Sequence, residues 1–166
     1  MTTSLVSTNN LRDTLRRVPT PVAFIATHDE QPLGMLVGSF VGISLEPPLV
    51  GVFIQKTSTT WPQLRLSLEK GLQLGISILG HPHAQEVRTL AGSDRFSGAW
   101  SAEDSGAIHL VGADSELTAE LDGVQDIGDH YFAVLRVVST SAVGATTALV
   151  FHESKVDHLG DKNRQL

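Results

Sequence analysis

Residues 56–60, Lys-Thr-Ser-Thr-Thr, set one ammonium and four consecutive hydroxyls directly before the helix-like stretch "WPQLRLSLEKG" (61–71). Hydroxyls, a cation and the unpaired N–H groups of a helix start suit an anion such as phosphate. Ser and Thr are also the usual helix caps, and a lysine often marks a solvated strand end, so capping stands as the rival reading of the same residues. A second chemically suggestive stretch is "GMLVGSFVGISL" (34–45), strand-like but with three glycines. Its backbone must bend, or be approached closely by something a side chain would block, as in a barrel wall or a ligand face. A third is the polar, glycine-rich "GSDRFSGAWSAEDSGA" (92–107), whose length and mixed charged and aromatic content suggest a binding segment. His81 and His83 form an H-x-H, but no carboxylate stands at a clear ligand spacing, and no metal is assigned.

The elements that must position these residues are mostly strands. "PVAFIATH" (21–28) is β-branched and aromatic, and "DEQPLG" behind it carries turn residues, which predicts a hairpin into the glycine-bearing strand. Pro47 and Pro48 cannot donate to a ladder and belong at a corner before "LVGVFIQK" (49–56), apolar on both faces until Gln55 and so expected to be central and buried. A helix follows, with Pro62 in its first turn, Trp61, Leu64 and Leu68 on one face and Gly71 after its end. "LQLGISIL" (72–79) is a further strand, and "HPHAQEVRTLAG" (81–92) reads as a helix with Ala84, Val87 and Ala91 on one face. "AIHLVG", "SELTAELDGV", "DHYFAVLRVVSTSAV" and "ALVFHESKV" predict four more strands. About seven strands and two helices at hairpin spacing indicate a closed antiparallel sheet. With no repeat, low-complexity tract or linker, residues 1–166 are expected to form a single domain.

Composition limits the partners. Twelve Lys and Arg against eighteen Asp and Glu give a formal charge of −6, which argues against a broad nucleic-acid surface but leaves room for a local cationic pocket. There is no cysteine, hence no disulfide framework or thiolate metal site, in keeping with a reducing, cytoplasmic setting. The first residues lack the basic start and apolar core of a leader. No run approaches the roughly 18 apolar residues of a membrane span.

Taken in order, "GMLVGSF" (34–40), "SLEPPLVGVFI" (44–54), "KTSTTWP" (56–62), "ISIL" (76–79), "DRFSG" (94–98) and "GDH" (128–130) resemble the short-chain NAD(P)H:flavin oxidoreductases, which include the reductase components of two-component flavin monooxygenases. The resemblance covers most of the chain. It implies a mainly β fold with two or three helices, an FMN-binding split barrel of Greek-key type, and usually a homodimer. It also implies hydride transfer from NADH or NADPH to FMN or FAD, with reduced flavin passed to a partner monooxygenase. By the same resemblance the isoalloxazine lies against the backbone of Met35, Leu36, Val37, Gly38, Ser39 and Phe40, with Gly34 and Gly38 permitting the approach. The phosphate falls to Lys56, Ser58 and Thr60, with Gln55 and Thr57 beside them. Arg95 and Phe96 close on the flavin, and His130 meets the nicotinamide nucleotide. Each has a plainer alternative: Asp129 could cap His130 at a strand start, Arg95 could pair with Asp94 or Glu103, and Trp61 and Trp100 could be packing residues. Leu36, Gly38, Ser77 and His83 depart from the family's commoner residues, which implies fewer side-chain hydrogen bonds to the flavin, and Leu135 stands in place of a frequent glycine, where it could narrow the nucleotide approach or simply fill core.

Overall fold

In the computed structural model, which describes residues 6–142 and 146–160, the long strands form one seven-stranded antiparallel sheet. Its members are β2 (Ala23–His28), β3 (Pro32–Val37), β4 (Val41–Leu45), β5 (Pro48–Gln55), β6 (Leu74–Ile78), β9 (Ser115–Ile127) and β10 (His130–Ala142), in the order β3-β2-β6-β9-β10-β5-β4. A three-stranded sheet joins β1 (Thr20–Pro21) to β11 (Leu149–His152) and β12 (Lys155–His158), and β7 (Trp100–Ala102) pairs with β8 (Ile108–Leu110). The helices are α1 (Thr8–Leu15), α2 (Trp61–Glu69) and α3 (Val87–Ala91). Among the described residues no helix is long and apolar enough to cross a membrane.

The decisive feature is at residues 38–40. The stretch 34–45, expected as one bent strand, is two strands, and these are the opposite edges of the seven-stranded sheet. Edges joined by only three residues require the sheet to curl on itself, but it does not close as expected: β3 and β4 remain its two edges, and a seam lies between β3 and the β4–β5 hairpin. Inside the curl lie Ala23 and Ile25 of β2, Val37 of β3, Val50, Val52 and Ile54 of β5, Leu74 and Ile76 of β6, and Ala133 and Leu135 of β10. Trp61, Leu64 and Leu68 of α2 pack into the same core, the face expected from their spacing. Each fully buried large apolar side chain contributes about 1.5–3 kcal/mol. The helix stops at Gly71, whose φ of +102° suits a residue without a Cβ.

Three expectations are corrected. β5 is not the central strand: it lies one position from the edge, and Phe53 on its outer face is 37% exposed. The strand buried on both faces is β2, whose Phe24 and Ala26 face a second core containing Val22, Leu79, Leu90, Ile108, Leu110 and Leu149. Residues 81–92 are not one helix but a 3-10 turn (His81–His83) followed by the five-residue α3, with Leu90 rather than Ala91 buried. Pro82 and the demand of the second core for Leu90 rotate the face away from the spacing read in sequence. The polar loop 92–107 supplies β7, and the final third holds five strands instead of four because Glu153 and Ser154, at φ 47° and 64°, turn β11 back on itself as β12.

Candidate functional site

A groove of about 560 Å³ occupies the seam. One wall is the end of β3 and the break after it, Met35 to Ser39. The other is Phe53, Ile54 and Gln55 of β5, and the hydroxyl residues Thr57 to Thr60 with Arg95, Ala91 and His130 complete the lining. The seam is bridged by Ser39, whose Oγ donates to the Phe53 carbonyl at 2.7 Å and accepts from the Phe53 N–H at 3.0 Å. Val41 pairs with Gly51, so Ser39 extends the β4–β5 ladder by one further pair with a side chain in place of backbone. That hydroxyl is therefore already engaged by the Phe53 backbone.

The hydroxyl run divides between its two candidate roles. Ser58 Oγ accepts from the Trp61 N–H at 3.1 Å and so caps the start of α2. Thr60, at the cap position, makes no side-chain cap bond and faces the groove with Thr57 and Thr59. Lys56 does not line the groove. Its ammonium sits 2.7 Å from the Asp126 carboxylate and 5.5 Å from the centre of the Tyr131 ring. The hydrogen bond to Asp126 holds the Lys56 pKa above its ordinary value.

The cation that does face the hydroxyls is Arg95. Its Nε donates to Gly92 O at 2.8 Å and its Nη1 to Gly34 O at 2.7 Å, with Thr60 Oγ1 at 3.5 Å, which fixes the guanidinium plane and leaves further N–H groups for a ligand. The carboxylates suggested as its partners are engaged elsewhere: Asp94 accepts from Ser93 Oγ and Glu103 lies 3.1 Å from His109. Phe96, the next residue, is turned away from the groove and meets Phe24 and Trp100 edge-on in the second core. Phe40 likewise packs against the first core and is not in the lining.

His130 starts β10 directly opposite Gln55 in register, which places the two at one end of the groove. Its Nδ1 lies 2.6 Å from the Asp129 carboxylate, the pairing considered in sequence, and its side chain is 32% exposed. That hydrogen bond holds the Asp129 pKa below its ordinary value. Capping by Asp129 and access to the groove thus coexist in one residue.

The glycines separate into two roles. A Cβ on Gly34 would meet Ala26 Cβ at 2.7 Å, Ile25 O at 2.8 Å and the Phe96 ring at 3.0 Å, so this glycine serves β2–β3 packing and not ligand approach. Gly38 is exposed in the groove wall, and its nearest contact for a Cβ is Thr20 Oγ1 at 3.2 Å. Of the departures from the family pattern, Leu135 is fully buried in the first core, Ser77 Oγ accepts from Leu110 N, and His83 is buried with Nε2 3.1 Å from Val111 O. Only Leu36 and Gly38 touch the groove. Phe53, Ile54 and Ala91 are lining residues that the sequence did not single out; the alternation of Phe53 with Gln55 on β5 is the signal that would have found the first.

The residues present fit a flavin nucleotide: a flat wall of strand backbone on one side, and hydroxyls with a fixed guanidinium at one end. Residues 15–160 match the family model described as "Flavin reductase like domain". A flavin reductase of Pseudomonas putida is 30% identical over 146 residues, covering 85% of this chain and 84% of that protein. The reductase subunit HsaB of a flavin-dependent monooxygenase from Rhodococcus jostii (strain RHA1) is 30% identical over 155 residues, covering 90% and 77%. Among solved structures, the Streptomyces globisporus C-1027 NADH:FAD oxidoreductase SgcE6 in complex with NAD and FAD fragments superposes with a TM-score of 0.84 at 23% identity, over 97% of this chain and 99% of that one. From the match across most of its length and from relatives at this identity, the chain belongs to the flavin reductase like domain family.

Proposed function

We propose that this protein is an NAD(P)H-dependent flavin reductase, one domain that takes a hydride from a nicotinamide nucleotide onto FMN or FAD and supplies the reduced flavin to a separate monooxygenase. The observation that carries the reading is the seam groove, where exposed backbone at 35–39, a hydroxyl and guanidinium end and His130 converge. Family membership and relatives named as flavin reductase, as a monooxygenase reductase subunit and as NADH:FMN oxidoreductase support it.

The flavin and the nicotinamide supply the redox chemistry between them; no side-chain acid or base is required. The chain's part is to orient and to exclude water. Arg95 with Thr57, Thr59 and Thr60 anchors the phosphate end, the Met35–Ser39 wall receives the ring, and His130 with Gln55 stands at the end where a second nucleotide enters. Ser39 is bonded to the Phe53 backbone across the seam.

A homodimer is part of the proposal. The outer face of β4, β5 and β10 presents Val41, Ile43 and Phe53, with Ile43 beside Phe132 over Gly51 and Phe53 stacked on Phe132 at 4.4 Å. A contiguous apolar patch of this kind on a sheet face marks an association surface. Phe53 also lines the groove, so the association would bring a second copy to the site's margin. The absence of cysteine agrees with a cytoplasmic location.

The test is NADH and NADPH oxidation measured with FMN and with FAD, four combinations in all. Turnover that rises with added free flavin is expected. Flavin bound stoichiometrically with no nucleotide oxidation would establish instead a non-catalytic flavin carrier, and turnover independent of added flavin would establish an enzyme that retains its flavin for a substrate of its own.

A further inference from the structure

We propose that an apolar recess beside the groove is a second small-molecule site, shaped for an uncharged aromatic compound of about two fused rings. The recess has a volume of about 340 Å³ and shares Leu36, Val37, Gly38 and Ala91 with the groove. Its remaining walls are Pro21, Val22, Val87, Phe151 and Val156.

Among the described residues, no side chain in this lining carries a charge, a donor or an acceptor. A phosphate or carboxylate would be stripped of water there with nothing in exchange, which excludes the charged parts of a nucleotide. Val22 belongs to the second core, and Leu36, Val87 and Val156 pack against it, so the recess is a gap in the rim of that core. A recess with such a lining takes up apolar molecules, which release water from its walls and gain the dispersion contacts that the gap lacks. Phe151, 44% exposed, offers a ring for stacking or edge contact.

The recess is distinct from the flavin's anchoring end. Thr57, Thr59, Thr60 and Arg95 line the groove and not the recess, and the two spaces adjoin at Leu36, Val37, Gly38 and Ala91. A flavin and an aromatic compound therefore bind together, each resting on Leu36 and Val37, and any effect of one on the affinity of the other is mutual. The inference rests on the flavin reading only for what fills the groove.

The test is calorimetric titration of the FMN-saturated protein with 1-naphthol, and with 1-naphthalenesulfonate as the charged counterpart of the same ring. Saturable one-to-one binding of naphthol and none of the sulfonate is expected. Val87→Phe and Val156→Phe fill the recess without touching the groove, and each should weaken naphthol at least tenfold with the KM values for FMN and NADH unchanged. Equal binding of both compounds, no saturable naphthol binding, or displacement of naphthol by FMN would overturn the proposal, the last by showing that the recess receives the flavin's own apolar edge. A loss of FMN affinity in the filled variants would do the same. Should the protein prove not to bind flavin, naphthol titration of the flavin-free protein still reports on the recess.

Discussion

Arg95 and Thr60, with Nη1 and Oγ1 3.5 Å apart, bring a guanidinium of the groove lining to the end of the hydroxyl run, while Lys56 is drawn off to Asp126. The cation adjacent in sequence and the cation adjacent in space are thus different residues. Arg95→Ala is expected to weaken FMN by about ten- to a hundredfold, the loss of a charge-assisted contact, and riboflavin far less because it lacks the phosphate. Lys56→Ala should change FMN affinity less than Arg95→Ala does, since an exposed ion pair with Asp126 is its main engagement. Fluorescence titration of both ligands decides it; a larger FMN-specific loss in Lys56→Ala would return the phosphate to the lysine.

The two glycines of β3 and its break should respond in opposite ways. Gly34→Val forces a Cβ against the Ala26 side chain and the Ile25 carbonyl and is expected to cost about 1–3 kcal/mol of stability or more, read as a fall in Tm. A Cβ at Gly38 meets Thr20 Oγ1 at 3.2 Å and the Pro21 carbonyl at an ordinary 3.7 Å, so in Gly38→Val the fold should persist while flavin binding is lost. Retention of flavin with unchanged quenching in folded Gly38→Val would show that this wall faces something other than the ring.

His130→Ala should raise the KM for NADH and lower kcat/KM about fivefold, the equivalent of one lost hydrogen bond of about 1 kcal/mol, with flavin affinity and Tm nearly unchanged. A stability loss without an NADH defect would make the residue structural.

The same variant tests the local electrostatics. The Asp129 pKa is depressed by its hydrogen bond to His130, so the pair's contribution is present above the ordinary value of 3.8 and is lost as pH falls through the lower folded value. In His130→Ala the Asp129 carboxyl should titrate closer to 3.8, followed by carboxyl-carbon NMR. An unchanged titration would show that the 2.6 Å contact is not maintained in solution.

Ile43→Asp places a carboxylate in the outer apolar patch, beside the space that Gly51 leaves for the Phe132 ring. Sedimentation should show a dimer for the unaltered protein and a monomer for the variant, with the groove residues intact. A dimer that survives the substitution would move the interface to another face.

The sequence was most legible where one local pattern met one physical demand. α2 followed from Pro62, the spacing of Trp61, Leu64 and Leu68, and Gly71, because capping and a single buried face decide a helix within a dozen residues. The motif succession placed Met35, Leu36, Val37, Gly38, Ser39, Gln55, Thr57, Ser58, Thr60, Arg95 and His130 in one groove. What escaped was set by distant partners. The apolar content of β5 resembles that of β2, and only the order of strands puts the second core behind one and open space beside the other. The direction taken by Lys56 depends on Asp126, seventy residues later and brought alongside by the β9–β10 hairpin. Ser39 as a rung of the ladder could not be read at all, since nothing near it in sequence announces Phe53 as its partner.

The seam between β3 and β4 also bears on how this chain avoids sticking to its neighbours. Every open sheet has two raw edges that invite another strand to add on. Here the edges are strands of six and five residues, tied to each other by residues 38–40, and the second carries a register shift between Gly42 and Ser44. Short length and a bulge are the features that discourage a foreign strand from continuing the ladder. The curl that makes room for a ligand thereby serves as a guard against runaway self-association, because the three-residue connection that opens the seam also ties the two short edges together.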